Sequence, residues 1–448
     1  MKIKSLPRLS ALSLALLLVA VVIMVPQAKP VGANPDQLVD SFTSSQTVSQ
    51  PGVGSIWGAL ADGTVLGGER EITVTVTAGS GTLQGVSNSP ASTFSHNPDT
   101  DNRGSTLLTY DGSDNHVNLN PSGLGPIDLS ADNAFLVSLH GSNFNSQIVV
   151  TIYSGSATTC SSQTKTANAL PYGETPRLIV FPYSGFALGS GCSSSASFSS
   201  VGAITVLINT TTAGNDVAID LVKTGSIDLG DLPSAYSMTV LPNGAAHAVD
   251  VAGLRLGSLI DGELDGQPHA NAAGDDLSTS DDEDGVIGTP GVVWTTGAAG
   301  GSVRVTVTGG NGCLYGWIDW NGDNNFTGTN ENIIFQQVVT PGTADYTFTI
   351  PGTVSFPNTF LSRFRLLPRT VFTGNCDDVT ITDGSAALTG QFPAGEVEDH
   401  RIGGAAPSAV NLSSLTANTE SNSLTLFGVA GLLGVAMIGA VAVLRRRK

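Results

Sequence analysis

The chain has 448 residues, and its 19 cationic and 37 acidic side chains give a net charge of −18. Eleven of those cations lie between residues 34 and 422 together with all 37 carboxylates, so this stretch carries −26. So acidic a surface repels phosphate backbones and excludes a nucleic-acid partner, while an apolar share of 40% excludes a disordered chain.

At the start stand Lys2, Lys4 and Arg8, followed by an apolar run from Leu9 to Val25, Pro26, and the small residues of Val31-Gly32-Ala33. A charged start, an apolar stretch and a small-residue exit predict a signal peptide over 1–33. Residues 35–225 then read as strands between turns. The run Glu71–Thr77 alternates strictly, with Ile72, Val74 and Val76 on one face and threonines on the other. Ala134–Leu139, Ile148–Tyr153, Arg177–Phe181, Ala203–Ile208 and Val217–Leu221 are similar, and turn formers such as Asp111-Gly112 lie between them. Such spacing describes an antiparallel sandwich.

Residues 226–279 are acidic and Gly-rich and read as a connector. A second set of strands follows over 280–402: Val292–Trp294, Ser302–Val307, Leu314–Trp320, Ile333–Val338, Tyr346–Ile350 and Phe360–Leu366. Residues 403–423 are polar and suit a stalk. Leu424 to Leu444 holds no charge, and Arg445, Arg446, Arg447 and Lys448 follow. Twenty-one residues at about 1.5 Å each span roughly 31 Å, enough to cross a bilayer. A basic end stays cytoplasmic, so the predicted localisation is the cell surface, held in membrane lipid by one span with the N-terminus outside. The expected fold class is all-β: two extracellular antiparallel, jelly-roll-like β-sandwich domains, a signal helix and one transmembrane helix.

The four cysteines fall in separated pairs inside the two β-regions. An even count in an exported chain favours disulfides, here Cys160–Cys192 and Cys313–Cys376. Asp319, Asn321 and Asp323 stand at alternate positions around Gly322, with Asn325 and Glu331 further on. Oxygen donors so spaced suit Ca²⁺, which takes six to eight oxygens; equally, Asx side chains can cap their own turn. Glu396 and Glu398 share one face of the last strand, and Arg363 and Arg365 share one face of another. Opposed across a sheet they would form structural ion pairs, or the glutamates would complete the metal site. The run Asp281–Asp284 reads as a solvated linker or a further metal ligand set.

Four motifs stand in order: Asp282-Glu-Asp-Gly-Val286, Gly316-Trp-Ile-Asp-Trp-Asn-Gly-Asp323, Arg363-Phe-Arg365 and Gly395-Glu-Val-Glu-Asp399. Through them residues 255–402 resemble the GEVED domain of bacterial surface proteins, with His400 where that family usually has an aromatic. The resemblance implies an extracellular β-sandwich and brings no catalytic residues. Leu66-Gly-Gly-Glu-Arg70, Tyr110-Asp-Gly and Gly123-Leu-Gly are similar to a module of bacterial surface proteins, and the strand pattern resembles the jelly roll of carbohydrate-binding modules. Trp57, Tyr153, Tyr172, Phe181 and Tyr183 are then candidate sugar platforms. The C-terminal layout resembles bacterial sorting tails, but Ser414-Leu-Thr-Ala-Asn-Thr-Glu420 lacks the Leu-Pro-x-Thr-Gly of sortase substrates, which leaves a plain membrane anchor.

The sequence holds no Gly-x-Ser-x-Gly elbow, no His-Glu-x-x-His and no phosphate-binding Gly-x-x-x-x-Gly-Lys. The expectation is a non-enzymatic structural or adhesive surface protein, stabilised by Ca²⁺. The alternative is a carbohydrate-binding surface protein; a glycosidase would rest only on the number of carboxylates. Expected partners are membrane lipid and an extracellular glycan or another surface protein.

Overall fold

The computed structural model describes residues 36–88, 92–236, 244–250, 252–263, 266–274, 282–356, 358–370, 373–382 and 385–403. The predicted signal peptide 1–33, nearly all of the stalk 403–423, the span 424–444 and the tail 445–448 lie outside them. Among the described residues no helix is long and apolar enough to cross a membrane.

The first unit is a sandwich of two seven-stranded sheets. Sheet I runs in the order Arg177–Pro182, Ala134–Ser142, Val217–Gly225, Thr93–Pro98, Thr82–Asn88 and Gln46–Pro51, with Leu38–Asp40 beside Val217–Gly225. Sheet II runs Ala187–Leu188, Cys160–Ala167, Ser146–Tyr153, Ala203–Asn209, Arg103–Tyr110, Glu69–Ala78 and Gly54–Ala61. All these pairs are antiparallel. Alternation decides which side chains meet between the sheets. Ile72, Val74, Val76, Ile148, Val150, Ile152, Ile204, Val206 and Ile208 come from sheet II, and Phe94, Phe135, Val137, Ile219 and Val222 come from sheet I. Cys160 and Cys192 are bonded, with 5.6 Å between their Cα atoms.

Three sheets build the second unit. Sheet III is small: Ile227–Leu229, Ala246–Ala248 and Gln391–Phe392, the last pair parallel. Sheet IV sets Arg255–Leu256, Val286–Gly288 and Gly342–Ile350 against the long strand Gly297–Thr308. Sheet V runs Asn332–Val339, Gly312–Ile318, Thr359–Leu367 and Glu396–Gly403. Gly312–Ile318 is buried on both faces. Leu314 and Ile318 join the core shared with Val303, Val305 and Trp294, while Cys313, Tyr315 and Trp317 join a second core with Leu232, Tyr236 and Phe392. The Cys313–Cys376 bond staples that second core, with 5.4 Å between Cα atoms.

The structure adds to the reading at two places. Within the connector 226–279, described residues supply strands of sheets III and IV and the buried side chains Ile227, Leu229, Leu232, Tyr236 and Leu256. Their strands are only two or three residues long, too short for a periodicity to register. Val292–Trp294 is not a strand; Trp294 is a core plug whose ring packs on Trp320 and Phe348.

The units meet along an apolar seam. Ala134, Leu136, Leu178 and Val180, on the outward face of sheet I, pack against Ile227, Leu229, Ala246 and Ala248 of sheet III. Arg177 reaches across to Asp378 at 3.0 Å and lies over the Phe392 ring. The second unit thereby covers the outer face of sheet I at its Ala134–Ser142 and Arg177–Pro182 strands.

Candidate functional site

The Asp319 loop follows directly from Gly312–Ile318, and its bends use Gly322 at φ 74°, Asn324 at 65° and Asn330 at 60°, the left-handed region that Gly and Asn tolerate. Asp319 is buried and accepts from the Gly322 N–H at 2.6 Å, the Asn324 N–H at 3.0 Å and the Tyr236 hydroxyl. Asn321 and Asn325 turn their carbonyl oxygens onto the N–H groups of Asp323 and Thr327, and Asp323 accepts from the Asn325 N–H. The loop therefore contains the hydrogen bonds of Asx turns. Of the five residues expected at a metal, three converge: Asp319, Asp323 and Glu331 each bring a carboxylate oxygen within 4.8 Å of the others. Glu331 is buried and accepts from the Gly328 N–H at 2.7 Å. Burial raises its pKa, and the Asp319 and Asp323 charges raise it further. Three negative groups, two of them buried, fit a hard divalent cation whose remaining ligands are water. A cleft of about 430 Å³ opens beside them, lined by Tyr236, Trp320, Asn358 and Arg401 among others.

The Gly395–Asp399 motif does a different task from the one its spacing suggested. In the Thr359–Leu367 and Glu396–Gly403 pair, Arg363 stands opposite Asp399 and Arg365 opposite Val397, while Phe364 and Leu366 stand opposite Glu398 and Glu396. The glutamates therefore occupy the other face from the arginines, and the expected Arg–Glu pairs do not form. A one-residue error in register moves a whole set of side chains to the wrong face. Arg363 instead makes a two-pronged pair with Asp399 at 2.7 and 2.6 Å, both side chains fully buried. Arg365 donates to His247 Nε2 and to the Thr389 and Gly390 carbonyls. Glu396 accepts from the Leu256 N–H and Glu398 from the Gly285 N–H at 2.7 Å. Val397 donates its N–H to Asp228, and Asp399 accepts from the Leu232 N–H. The motif thus straps the 228–285 stretch onto the final strand. Burial, then the neighbouring Glu398, Asp228 and Asp282 charges, raise Glu396 well above the usual carboxylate range.

In the first unit the five candidate aromatics separate. Phe181 is buried core, and Tyr183 stacks on Phe198 at 3.7 Å. Tyr172 packs over Gly141, and Tyr153 is half-buried at the end of its strand. Trp57 stands 36% exposed on the outward face of sheet II, the face the second unit leaves open. The registers place it in one row with Thr73, Leu107, Leu207, Val149 and Thr164. The adjacent row reads Ser55, Thr75, Ser105, Asn209, Gln147 and Thr166. On the other side the row of Glu71, Thr109 and Thr205 is buried, and His116 of the 111–133 segment donates its N–H to Glu71. Sequence reasoning singled out Trp57 but not its row, because Thr73, Leu107 and Val149 become neighbours only through the pairing.

Comparison with known proteins gives five findings. The family-11 carbohydrate-binding module of Clostridium thermocellum, solved with a β-1,3-1,4-mixed-linked tetrasaccharide, is 13% identical over 42% of this chain and 94% of that one, with a TM-score of 0.23. The CBM22-1–GH10 modules of xylanase 10B from the same organism, solved with xylohexaose, are 14% identical over 42% of this chain and 28% of that one, at 0.19. A putative secreted protein of Parabacteroides distasonis is 10% identical over 84% of this chain and 96% of that one, at 0.17. No curated protein matches. The family model of the GEVED domain matches residues 313–403, which hold three of the four motifs and nearly all of sheet V with its Asp319 loop, so the resemblance to that domain holds over this span.

Proposed function

We propose that this protein is a non-catalytic, adhesive surface protein that takes polysaccharide on the open face of sheet II. The second unit would act as its cation-stabilised mount. One observation carries this reading. The two outer faces of the sandwich are unequal: two strands of sheet I's are covered by apolar contact with the second unit, and sheet II's presents an exposed tryptophan in a half-apolar row beside a row of hydroxyls and amides. Sugar rings offer an apolar C–H face and a hydroxyl rim, so an indole flanked by Ser, Thr, Asn and Gln suits them.

A panel of soluble and insoluble polysaccharides incubated with full-length protein tests this. At least one should be retained, and Trp57→Ala should weaken retention about tenfold, the loss of roughly 1.4 kcal/mol of stacking. Equal retention by the variant, or binding to nothing in the panel, removes the proposal.

A further inference from the structure

We propose that the first unit holds a divalent-cation site of its own, formed by Glu69, Glu71 and Asp114 with Asp111 beside them. It would pin the 111–123 segment against sheet II. Glu69, Glu71 and Asp114 each bring one carboxylate oxygen within 4.8 Å of the others. The two glutamates are buried and Asp114 is exposed, which leaves an entry path. Glu69 takes the Asn115 N–H at 2.9 Å and Glu71 the His116 N–H at 3.1 Å, each through Oε1, so the two Oε2 atoms remain for an ion.

Asp111 supplies an independent observation. It continues the Arg103–Tyr110 strand two residues past Thr109, the partner of Glu71, and so stands on the same face. It is 1% exposed; Oδ2 accepts the Asn120 N–H, while Oδ1 is buried and has no hydrogen-bond partner. Its charge acts on Glu71 more strongly than any other. An orphaned buried carboxylate oxygen is costly unless a proton or a cation satisfies it. Protein cations do not: Arg70, between the two glutamates, turns to the opposite face and pairs with Asp40 at 2.8 Å.

The surroundings are built to hold this arrangement. A Cβ on Gly123 would fall 1.6 Å from the Asp111 carbonyl oxygen, and one on Gly67 would fall 3.0 Å from the Gly112 nitrogen. Gly67 and Gly112 also sit at φ 82° and 96°. The motifs Leu66-Gly-Gly-Glu, Tyr110-Asp-Gly and Gly123-Leu-Gly, far apart in sequence, therefore close on one point. All-oxygen donors with an excess of negative charge select a hard ion of the Ca²⁺ type.

The test is Ca²⁺ binding to chelator-stripped, full-length protein, counted by equilibrium dialysis in a background where Asp323→Asn and Glu331→Gln disable the other carboxylate group. That background should still bind one ion per chain, and adding Glu71→Gln with Asp114→Asn should abolish it. In the same background Ca²⁺ should protect the 111–133 segment from limited proteolysis, mapped by mass spectrometry, and the added substitutions should remove that protection. Asp114→Asn alone, at an exposed position that the fold tolerates, should weaken binding about tenfold. A background variant that binds no Ca²⁺, or bound Ca²⁺ indifferent to Glu71→Gln and Asp114→Asn, overturns the proposal.

Discussion

The two units treat buried polarity in opposite ways. The second buries charged side chains on partners: Arg363 pairs with Asp399, Arg365 donates to His247, and Glu396 and Glu398 accept from main-chain N–H groups, all within sheet V and its borders. In the first, the sandwich interior keeps a neutral imidazole, His96, between Thr106 at 2.8 Å and Thr210 at 3.1 Å, and one buried ion pair, Arg70 with Asp40. Its acids Glu69, Glu71, Asp111 and Asp114 gather outside the sandwich core, and Arg70, the cation between the two glutamates, turns away from them to Asp40. The difference separates architecture from availability. A carboxylate closed on an arginine, as Asp399 is on Arg363, is a fixed part of the fold, however prominent its motif. Function is better sought where a face is open or where clustered acids lack a cationic partner.

The sharpest way to break this comparison is at Asp399. Removing one member of a buried charge pair leaves the other uncompensated, which costs about 3–5 kcal/mol. Asp399→Ala should therefore destabilise the second unit by that amount in urea unfolding, since Arg363 and the Leu232 N–H both lose their acceptor. A loss under about 1 kcal/mol would mean that the pair is solvated and the strap reading is wrong.

His96 sharpens the other side. Burial lowers its pKa from 6.5 to about 3, so between those values the unfolded chain binds a proton that the folded unit does not. Stability is then complete above about pH 6.5 and falls by about 1.4 kcal/mol for each pH unit below it. His247 is pushed the same way by burial and by Arg365, whereas Glu396, raised in the folded state, opposes both. The His96 contribution is isolated by difference: His96→Gln should flatten the pH slope of first-unit unfolding between pH 6.5 and 4. An unchanged slope would show that the ring is protonated in the fold.

Much of this was legible in the sequence, and the gaps have physical causes. Strands with clean alternation, such as Glu71–Thr77 and Ile148–Tyr153, announce themselves because one face there is wholly apolar. Cys160–Ala167 does not, because serine, threonine, glutamine and lysine are spread over both faces, and Thr93–Pro98 does not, because its buried face reads Phe94, His96 and Pro98. Both cysteine pairs were readable from their separation into two regions. The Arg–Glu pairing failed because same-face spacing along each strand says nothing of register between strands, and Asp399 was the partner one residue on. The Glu69, Glu71, Asp111 and Asp114 group was invisible because its members come from a strand, a strand end and a loop. Asn321 and Asn325 were named as ligands from spacing alone, yet a loop of this kind turns the same oxygens onto its own amides.

The Asp319 loop gives the smallest and most local effect. Three carboxylate oxygens within 4.8 Å repel one another, and two of the groups are buried, so an ion between them favours the folded state by RT ln(1 + [Ca²⁺]/Kd). Extracellular sites of this kind bind at about 10⁻⁴–10⁻³ M, and at ten times Kd the gain is about 1.4 kcal/mol, a few degrees in Tm. The whole chain must be used, since a fragment starting at residue 280 lacks Leu232, Tyr236 and Leu256, which the second unit's cores require. Trp294, Trp317 and Trp320, three of the four tryptophans, lie in that unit, so their fluorescence follows its melting apart from the first. That transition should rise in millimolar Ca²⁺ relative to chelator, and Asp319→Ala with Asp323→Ala should remove the difference while Glu71→Gln leaves it in place. Mg²⁺ should do less, because it demands a compact octahedron that a loop closed by Asx turns does not offer. Identical second-unit melting in Ca²⁺ and chelator would reduce the loop to its hydrogen-bonded turns, with Tyr236 and two backbone amides as sufficient partners for Asp319.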